Sequence, residues 1–265
     1  MTTAGDGLDV LFLGTGTSTG VPMIGCDCPV CTSKNPRNRR RRSCLYVRAG
    51  ELALLIDTPP EFREQALTYD LRRVDALLFT HSHADHIFGL DDMRRFNTLQ
   101  QAVIPAFATP QTTCEIRRIF DYISADRNGT QGLYRPLIDF REVETPFEIG
   151  AVRVTPLDVA HGSARTVGFR FDYLGRSLGY APDCRDMPAC SQKGFRGVDL
   201  MILDGLRHRP HATHMTIAQS LEMIERLRPQ KALLTHICHD IEHDVEQQNL
   251  PPGVSLAWDG LRVRW

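Results

Sequence analysis

The chain has 265 residues, 42% of them hydrophobic, enough to bury a core of its own, and no apolar run of transmembrane length. Its formal net charge is −1, so no overall field draws it to nucleic acid or to an anionic membrane. Eight cysteines with no secretory signal ahead of them suggest a reducing, cytoplasmic setting, where clustered thiols hold metal more often than they form disulfides.

Taken in order, short apolar strands alternate with turn residues. Residues 9–13 predict a first strand, and a glycine-rich turn over 14–20 follows it. No helix comes next, so the turn lacks the context of a dinucleotide or P-loop fingerprint; it lets the backbone pass close to a neighbour. Residues 45–48 and 52–57 flank Ala49-Gly50-Glu51 as a hairpin. A helix with prolines at its entry is expected over 59–71. Residues 73–79, almost continuously apolar after Asp75, predict a strand buried on both faces, and helical spacing then runs from Asp85 to about Gln100. A strand at 104–108, a helix near 111–123 and an exposed loop over 124–139 come next. The second half predicts strands at 152–157, 166–171, 177–180, 200–203 and 232–234, with an amphipathic helix over 216–227. The chain ends in a polar-faced hairpin turning at Asp259-Gly260. No linker or repeat divides it, so one domain over 1–265 is expected. Two β-rich halves that later gain helices imply two sheets packed face to face with helices outside.

Behind the strand at 73–79 stands Thr80-His81-Ser82-His83-Ala84-Asp85-His86, with four metal-binding side chains in six residues. His81 and His83 are two apart, so in an extended turn both imidazoles face the same way. Asp85 and His86 are adjacent, so they diverge and can serve a second ion. Neutral imidazole with carboxylate suits zinc, manganese or iron better than calcium. A solvated histidine-rich loop is the plainer alternative, and the position directly behind a core strand weighs against it. Further candidates stand where apolar strands stop: His161, Asp183, Asp204 and His236. One such residue is commonly a cap, but a sheet sandwich gathers several strand ends along one rim. Asp57 belongs to that rim, where it would orient a histidine from behind.

With these residues the chain resembles the metallo-β-lactamase-fold hydrolases. The resemblance rests on Phe12-Leu13-Gly14-Thr15-Gly16, Leu55-Ile56-Asp57, the run from Thr80 to His86, the lone His161, Asp183, and Thr235-His236-Ile237. It implies an α/β fold, an αββα sandwich of two packed mixed sheets with outer helices, and two divalent ions, zinc or manganese. One ion would take His81, His83 and His161. The other would take Asp85, His86 and His236, with Asp183 bridging the two. An aspartate at Asp85 is typical of the phosphodiesterase, ribonuclease and thioesterase branches, whereas the β-lactamases proper tend to have a cysteine elsewhere in their second site.

Cys26-Asp27-Cys28-Pro29-Val30-Cys31 places three thiols in six residues. Zinc held by three thiolates needs a fourth ligand; a chance cluster or a redox trio is the alternative. The run is similar to the structural zinc site of the cyclic-phosphoribose phosphodiesterases of phosphonate breakdown. That resemblance implies His239 as the fourth ligand of one structural zinc, tying a loop at about 20–44 to the segment that carries His236.

Three histidines, His208, His211 and His214, fall within seven residues, as a polar surface loop would also have them. Thr213 or Thr216 can cap the helix that follows. In the ribonuclease Z and cyclic-phosphodiesterase branches, a histidine in a similar setting is a proton donor backed by an acidic residue. The resemblance therefore implies that His214 and Asp204, with Asp85, make up the catalytic set. His208, His211 and Arg165 are candidate substrate contacts.

The expected reaction is hydrolysis of a small cyclic or nucleotide-like phosphodiester by a metal-bridging hydroxide, with His214 protonating the leaving alkoxide, a step worth ~100- to 10,000-fold. The basic run Arg37-Asn38-Arg39-Arg40-Arg41-Arg42 either grips RNA phosphates or is a solvated loop beside the zinc site. No stretch forms the long arm with which ribonuclease Z holds tRNA, so no nucleic-acid polymer is expected as partner; a homodimer is left open. The alternatives are a ribonuclease Z-like endonuclease, a thioester or lactone hydrolase, and an inactive nucleotide-binding member. A complete ligand set argues against the last.

Overall fold

The computed structural model describes residues 7–123 and 134–265. In one sheet β1 (Leu8–Gly14), β2 (Cys44–Ala49), β3 (Leu52–Ile56), β4 (Ala76–Leu78), β5 (Ile104–Ala108) and β6 (Ile138–Glu142) stand side by side in chain order. In the other, β7 (Phe147–Ile149), β8 (Val152–Val159), β9 (Thr166–Tyr173), β10 (Arg176–Ala181), β11 (Leu200–Asp204), β12 (Lys231–Thr235) and β13 (Val254–Leu256) do the same. β14 (Arg262–Arg264) returns to the first sheet beside β1. Both sheets are mixed. β1 to β3 and β7 to β10 pair antiparallel, as hairpins do, and β3 to β6 and β10 to β13 pair parallel through crossovers.

Three apolar layers explain the sandwich. Between the sheets, Phe12, Leu45, Leu54 and Leu78 face Phe169, Phe171, Tyr180 and Ile202. On the outside of the first sheet, Leu55 and Leu77 pack with Phe62 of α1 (Phe62–Thr68), Met93 and Phe96 of α3 (Met93–Gln100) and Ile116 of α4 (Pro110–Ile119). Outside the second sheet, Leu203 and Leu234 meet Phe195 of α5 (Ala189–Phe195) and Ile217, Met223 and Leu227 of α6 (Ile217–Leu227). β4 puts Ala76 and Leu78 into the central layer and Leu77 into the outer one, which is why its sequence is apolar without alternation. Thr216 starts α6 with a capping box, its hydroxyl taking the Gln219 N–H and the Gln219 side chain returning to its own N–H.

The expected helix over 85–100 is broken into α2 (Ala84–Ile87), a 3-10 turn at Leu90–Asp92 and α3. The break falls at Gly89, where a Cβ would collide with Pro59 O and the Phe62 side chain. The chain can pass α1 there only as glycine. The expected terminal hairpin is not one. β13 pairs parallel to β12 and β14 antiparallel to β1, so Asp259-Gly260 carries the chain from one sheet to the other. Asp259 anchors that crossing, accepting from Thr15 Oγ1 at 2.8 Å and from the Arg41 N–H at 2.7 Å. Of the loop expected over 124–139, residues 124–133 lie outside the described residues, and 138–139 open β6. β7, α5 and α7 (His243–Asn249) were not expected either. Each is three to seven residues long, too short to show a period.

Candidate active site

The ends of β3, β4, β8, β10, β11 and β12 deliver Asp57, the 80–86 run, His161, Asp183, Asp204 and His236 to one rim of the sandwich. His83 Nδ1 lies 2.9 Å from His81 Nε2 and 3.2 Å from His161 Nε2, so three ring nitrogens converge on one point. Beside them Asp85, His86 and His236 form a second group, with Asp85 Oδ2 3.5 Å from His86 Nε2 and 4.0 Å from His236 Nε2. Asp183 stands between the two. Its Oδ1 is 3.3 Å from His86 Nε2, and its Oδ2 is 3.3 Å from His236 Nε2 and 3.5 Å from His161 Nε2.

Three of the rings are aimed by their far nitrogens. His86 Nδ1 donates to Asp57 Oδ2 at 2.8 Å. His81 Nδ1 donates to Thr80 Oγ1 at 2.9 Å, and that hydroxyl donates onward to Asp57 at 2.9 Å. His161 Nδ1 donates to the Thr213 carbonyl at 2.9 Å. These bonds leave the Nε2 lone pairs of His81, His86 and His161 facing inward, the tautomer a metal ligand needs. Asp57 and His236 both sit in the left-handed region, at φ 64° and 59°, where non-glycine residues cost roughly 1–3 kcal/mol each. Each is the first residue beyond a strand, β3 in one sheet and β12 in the other. Ile237 is held in turn by Thr15 and bridges to Gly16, so the glycine-rich turn braces the His236 segment, the close approach its composition implies.

Buried His86 Nε2, His236 Nε2 and Asp183 Oδ1 have no hydrogen-bond partner among the described residues. Orphaned polar atoms are rare in a buried site and cost free energy unless something occupies the space between them. The electrostatics point the same way. Burial, reinforced by neighbouring histidines, holds His81 and His236 well below the usual imidazole range and lowers His161. Burial works against Asp183, yet His236 and His86 hold its carboxyl well below the usual range. His86 is the exception: burial opposes its charge, but Asp183, Asp57 and Asp85 outweigh burial and raise it well above the usual range, a positive charge that a bound cation would displace. Imidazoles gathered around a persistent carboxylate are a donor set for a divalent cation, so the residues fit two such ions.

A further pair leans on this cluster. His214 Nδ1 donates to Asp204 Oδ2 at 2.6 Å, and the Cys184 N–H donates to the same oxygen at 2.9 Å. The His214 ring stacks on His236 at 4.5 Å and meets His161 edge-on at 4.6 Å, so it touches a residue of each group. Burial opposes a charge on His214, but Asp204 outweighs it and the ring's pKa is raised. Burial pushes Asp204 up to about 7 against the pull of His214, so the dyad retains a shared proton near neutrality.

The remaining candidates fall out differently. Cys26, Cys28 and Cys31 bring their Sγ atoms to 3.3, 3.5 and 3.6 Å of His239 Nδ1, a Cys3His cluster fit for a tetrahedral ion. The Cys31 N–H lowers the Cys28 thiol to about 6, the strongest influence on it. Arg165 is held by Glu144 at 2.6 Å and Asp158 at 3.6 Å, and His208 by Glu246 at 2.8 Å, so neither joins the cluster. His211 does approach, its ring 5.1 Å from His214. Of the five arginines in the run only Arg40 is buried; Arg37 and Arg39 are exposed, and Arg41 and Arg42 half-buried. Arg40 is buried against Thr15, Ala257 O and His243; Arg42 pairs with Glu61, and Arg37 with Asp244 over the Trp258 ring. Thr80 and Thr213 were missed as site residues. Thr80 stood next to the motif and was legible there, whereas Thr213 acts through its main chain and left no side-chain signal.

One αββα sandwich, with a rim of histidines and aspartates and a backing carboxylate, is the architecture of the metallo-β-lactamase fold. Residues 53–237 match the family model described as the Beta-lactamase superfamily domain, and the chain belongs to that superfamily, on its PhnP-like side. A diphosphatase of the PhnP family superposes with a TM-score of 0.88 at 36% identity, covering 97% of this chain and 98% of that one. Zinc-bound PqqB from Methylobacterium extorquens superposes at 0.77 with 20% identity, covering 96% and 99%. An octanoyltransferase of Porphyromonas gingivalis is 33% identical over 259 residues, 96% of this chain and 51% of that protein. The chain thus spans about half the length of that relative. The superfamily consists mostly of hydrolases and its proteins bind divalent metals. Among the described residues, no helix is long and apolar enough to cross a membrane.

Proposed function

We propose that the protein is a phosphodiesterase using two divalent ions and acting on a small cyclic or nucleotide-like phosphodiester. His81, His83 and His161 would hold one ion, Asp85, His86 and His236 the other, with Asp183 shared and a third, structural zinc on Cys26, Cys28, Cys31 and His239. Bound there, the paired ions supply Lewis acidity toward phosphoryl oxygens and a more acidic water. The residues do the rest. Asp57, Thr80 and Thr213 keep His81, His86 and His161 with Nε2 turned inward, and the buried strand ends exclude bulk water. His214 holds a proton on Nε2 for the leaving oxygen while Asp204 fixes its orientation through Nδ1.

The observation that carries this reading is the Asp204–His214 dyad lying against both ligand groups. A proton donor matters for an alkoxide, which leaves poorly, and little for a thiolate, which leaves unprotonated. That favours a phosphodiester over the acyl thioester that the octanoyltransferase relative brings to mind. About half of that relative lies outside the match, so its activity does not transfer with the resemblance. Arg40 is buried and Arg42 paired with Glu61, which leaves mainly Arg37 and Arg39 facing solvent, a thin surface for gripping an RNA backbone.

The test is metal analysis of the purified protein beside a panel of aryl phosphodiester, ribose cyclic phosphate, diphosphate, acyl thioester and precursor tRNA. We expect the first two to be hydrolysed. His214→Ala should slow the ribose cyclic phosphate ~100- to 10,000-fold and the activated aryl ester far less. Activity on alkoxide substrates should fall as pH rises through the raised pKa of His214, because only the protonated ring donates. Efficient thioester or tRNA cleavage with inert phosphodiesters would overturn the assignment.

A further inference from the structure

His211, a candidate substrate contact on sequence grounds, has no place in the machinery proposed so far, yet its ring is oriented by the same segment that orients a ligand ring. Thr213 is the clamp. Its carbonyl takes the Nδ1–H of His161 at 2.9 Å, and its own N–H donates to His211 Nδ1 at 3.3 Å. One peptide segment thereby orients a ring of the ligand cluster and a ring outside it. Gly162, at φ 60°, lets the His161 turn come this close; a Cβ there would sit 3.1 Å from Thr213 Cγ2. The Thr213 hydroxyl also lies 3.2 Å from His211 Nδ1.

The consequence is a fixed tautomer. A ring nitrogen that accepts from a backbone N–H cannot carry a proton, so the proton of neutral His211 resides on Nε2. That Nε2–H has no partner among the described residues, and the ring is half-exposed. Burial, then the neighbouring His214 and Arg207, lower the pKa of His211, in keeping with a neutral ring. The rings are layered from the cluster outward. His161 and His236 touch His214 at 4.6 and 4.5 Å, and His214 touches His211 at 5.1 Å.

Resting on the phosphodiesterase reading, we infer that His211 is a specificity-determining residue whose Nε2–H donates to an oxygen of the leaving group beyond the atom that His214 protonates. With phosphorus at the cluster and the leaving oxygen at His214, the next part of the leaving group lies against His211. A donor with no acceptor capacity selects for an oxygen lone pair there: a sugar hydroxyl or ring oxygen. Leaving groups without such an oxygen gain nothing from it.

Three substrates separate this from other roles: a ribose cyclic phosphate, ethylene cyclic phosphate and bis(4-nitrophenyl) phosphate. The first two expel alkoxides, and only the first carries a hydroxyl or ring oxygen close to the leaving atom; the nitro oxygens of the third lie at the far end of its aryl ring. We expect His211→Phe to lower kcat/KM on the ribose substrate about tenfold, the scale of one neutral hydrogen bond, and the other two less than about twofold. His211→Gln, which returns an N–H donor near the Nε2 position, should recover most of the loss. The pH profile of His211→Phe should keep the basic limb of the wild-type enzyme. Equal losses on all three substrates would make His211 a packing residue. Equal losses on the two alkoxide substrates with a shifted basic limb would mean that it acts only through His214. Either result overturns the inference and leaves the phosphodiesterase reading standing, whereas a wild-type protein inert toward all three removes both.

Discussion

Two ligand clusters sit about one loop apart in this chain, and they are built on opposite principles. The His/Asp cluster draws its ligands from four strand ends, β4 of one sheet and β8, β10 and β12 of the other, and every ligand except His83 and Asp85 is buried. Asp57, Thr80 and Thr213 set the orientation of three of its rings, His86, His81 and His161. The Cys3His cluster takes its three thiols from one loop, whose own apolar core is Val21, Val30 and Cys31 with Met23 beside them and whose Ile24 is 98% exposed, and its histidine from the segment after β12. The first is preorganised by the fold and would present its donors before any ion arrived. The second has too little buried surface to hold its own shape, so an ion there would supply the cross-link. One cluster is a product of the fold and the other contributes to it.

The sharpest break in that comparison is at Asp183. Asp183→Ala removes the carboxylate that both ligand groups share, and hydrolysis should drop to background with reduced bound metal. The sandwich should stay folded, because its core lies in layers to which Asp183 does not contribute. Circular dichroism and metal content measured on the same preparation check both halves. Near-normal turnover would take Asp183 out of the site.

A smaller effect is expected from Asp57, which touches no proposed ion. Asp57→Ala leaves His86 Nδ1 and the Thr80 hydroxyl without their acceptor, and should cost ~10- to 100-fold in activity or metal affinity. Because the residue adopts φ 64°, Asp57→Gly separates the two contributions. It relieves the backbone and still lacks the carboxylate, so it should be better folded than the alanine variant and no more active. A glycine variant with restored activity would show that the backbone, not the carboxylate, is what matters.

The same contrast governs what could be read from the sequence. The rim was legible because each ligand directly follows an apolar strand, and strand ends in a sandwich converge by construction. His239 was reached through the resemblance and the three cysteines, a pattern that depends on sequence distance alone. What stayed hidden depends on partners far away in the chain. Asp259-Gly260 has the local chemistry of a hairpin turn, but the bonds from Thr15 and Arg41 make it a crossing between sheets. Gly89 sits in helical spacing, and only the passing segment at Pro59 and Phe62 forbids a side chain there. The arginine run looked like a surface feature because nothing nearby announces that Arg40 is buried against Ala257 and His243.

The least effect on turnover, and the cleanest test of the second cluster, is expected from Cys28→Ser. Cys28 Sγ lies 3.5 Å from His239 Nδ1 and accepts the Cys31 N–H at 3.4 Å, and its lowered pKa of about 6 makes it a thiolate at neutral pH. Serine keeps the size but not the soft anionic donor, so about one zinc per chain should be lost while the His/Asp ions remain. The loop then loses its cross-link, and proteolysis should open it near the exposed Ile24 before any other segment. Thermal stability should fall as well, since a closed structural site contributes to folding directly. Turnover should fall only a little. The His236 segment keeps its bonds to Thr15 and Gly16, and Leu206 still accepts the Cys238 N–H at 3.1 Å, so the rim has anchors independent of the zinc. Unchanged metal content and melting temperature would make the cysteines bystanders. A loss of turnover as deep as that of Asp183→Ala would show that the rim is not preorganised and that the two clusters form one cooperative unit.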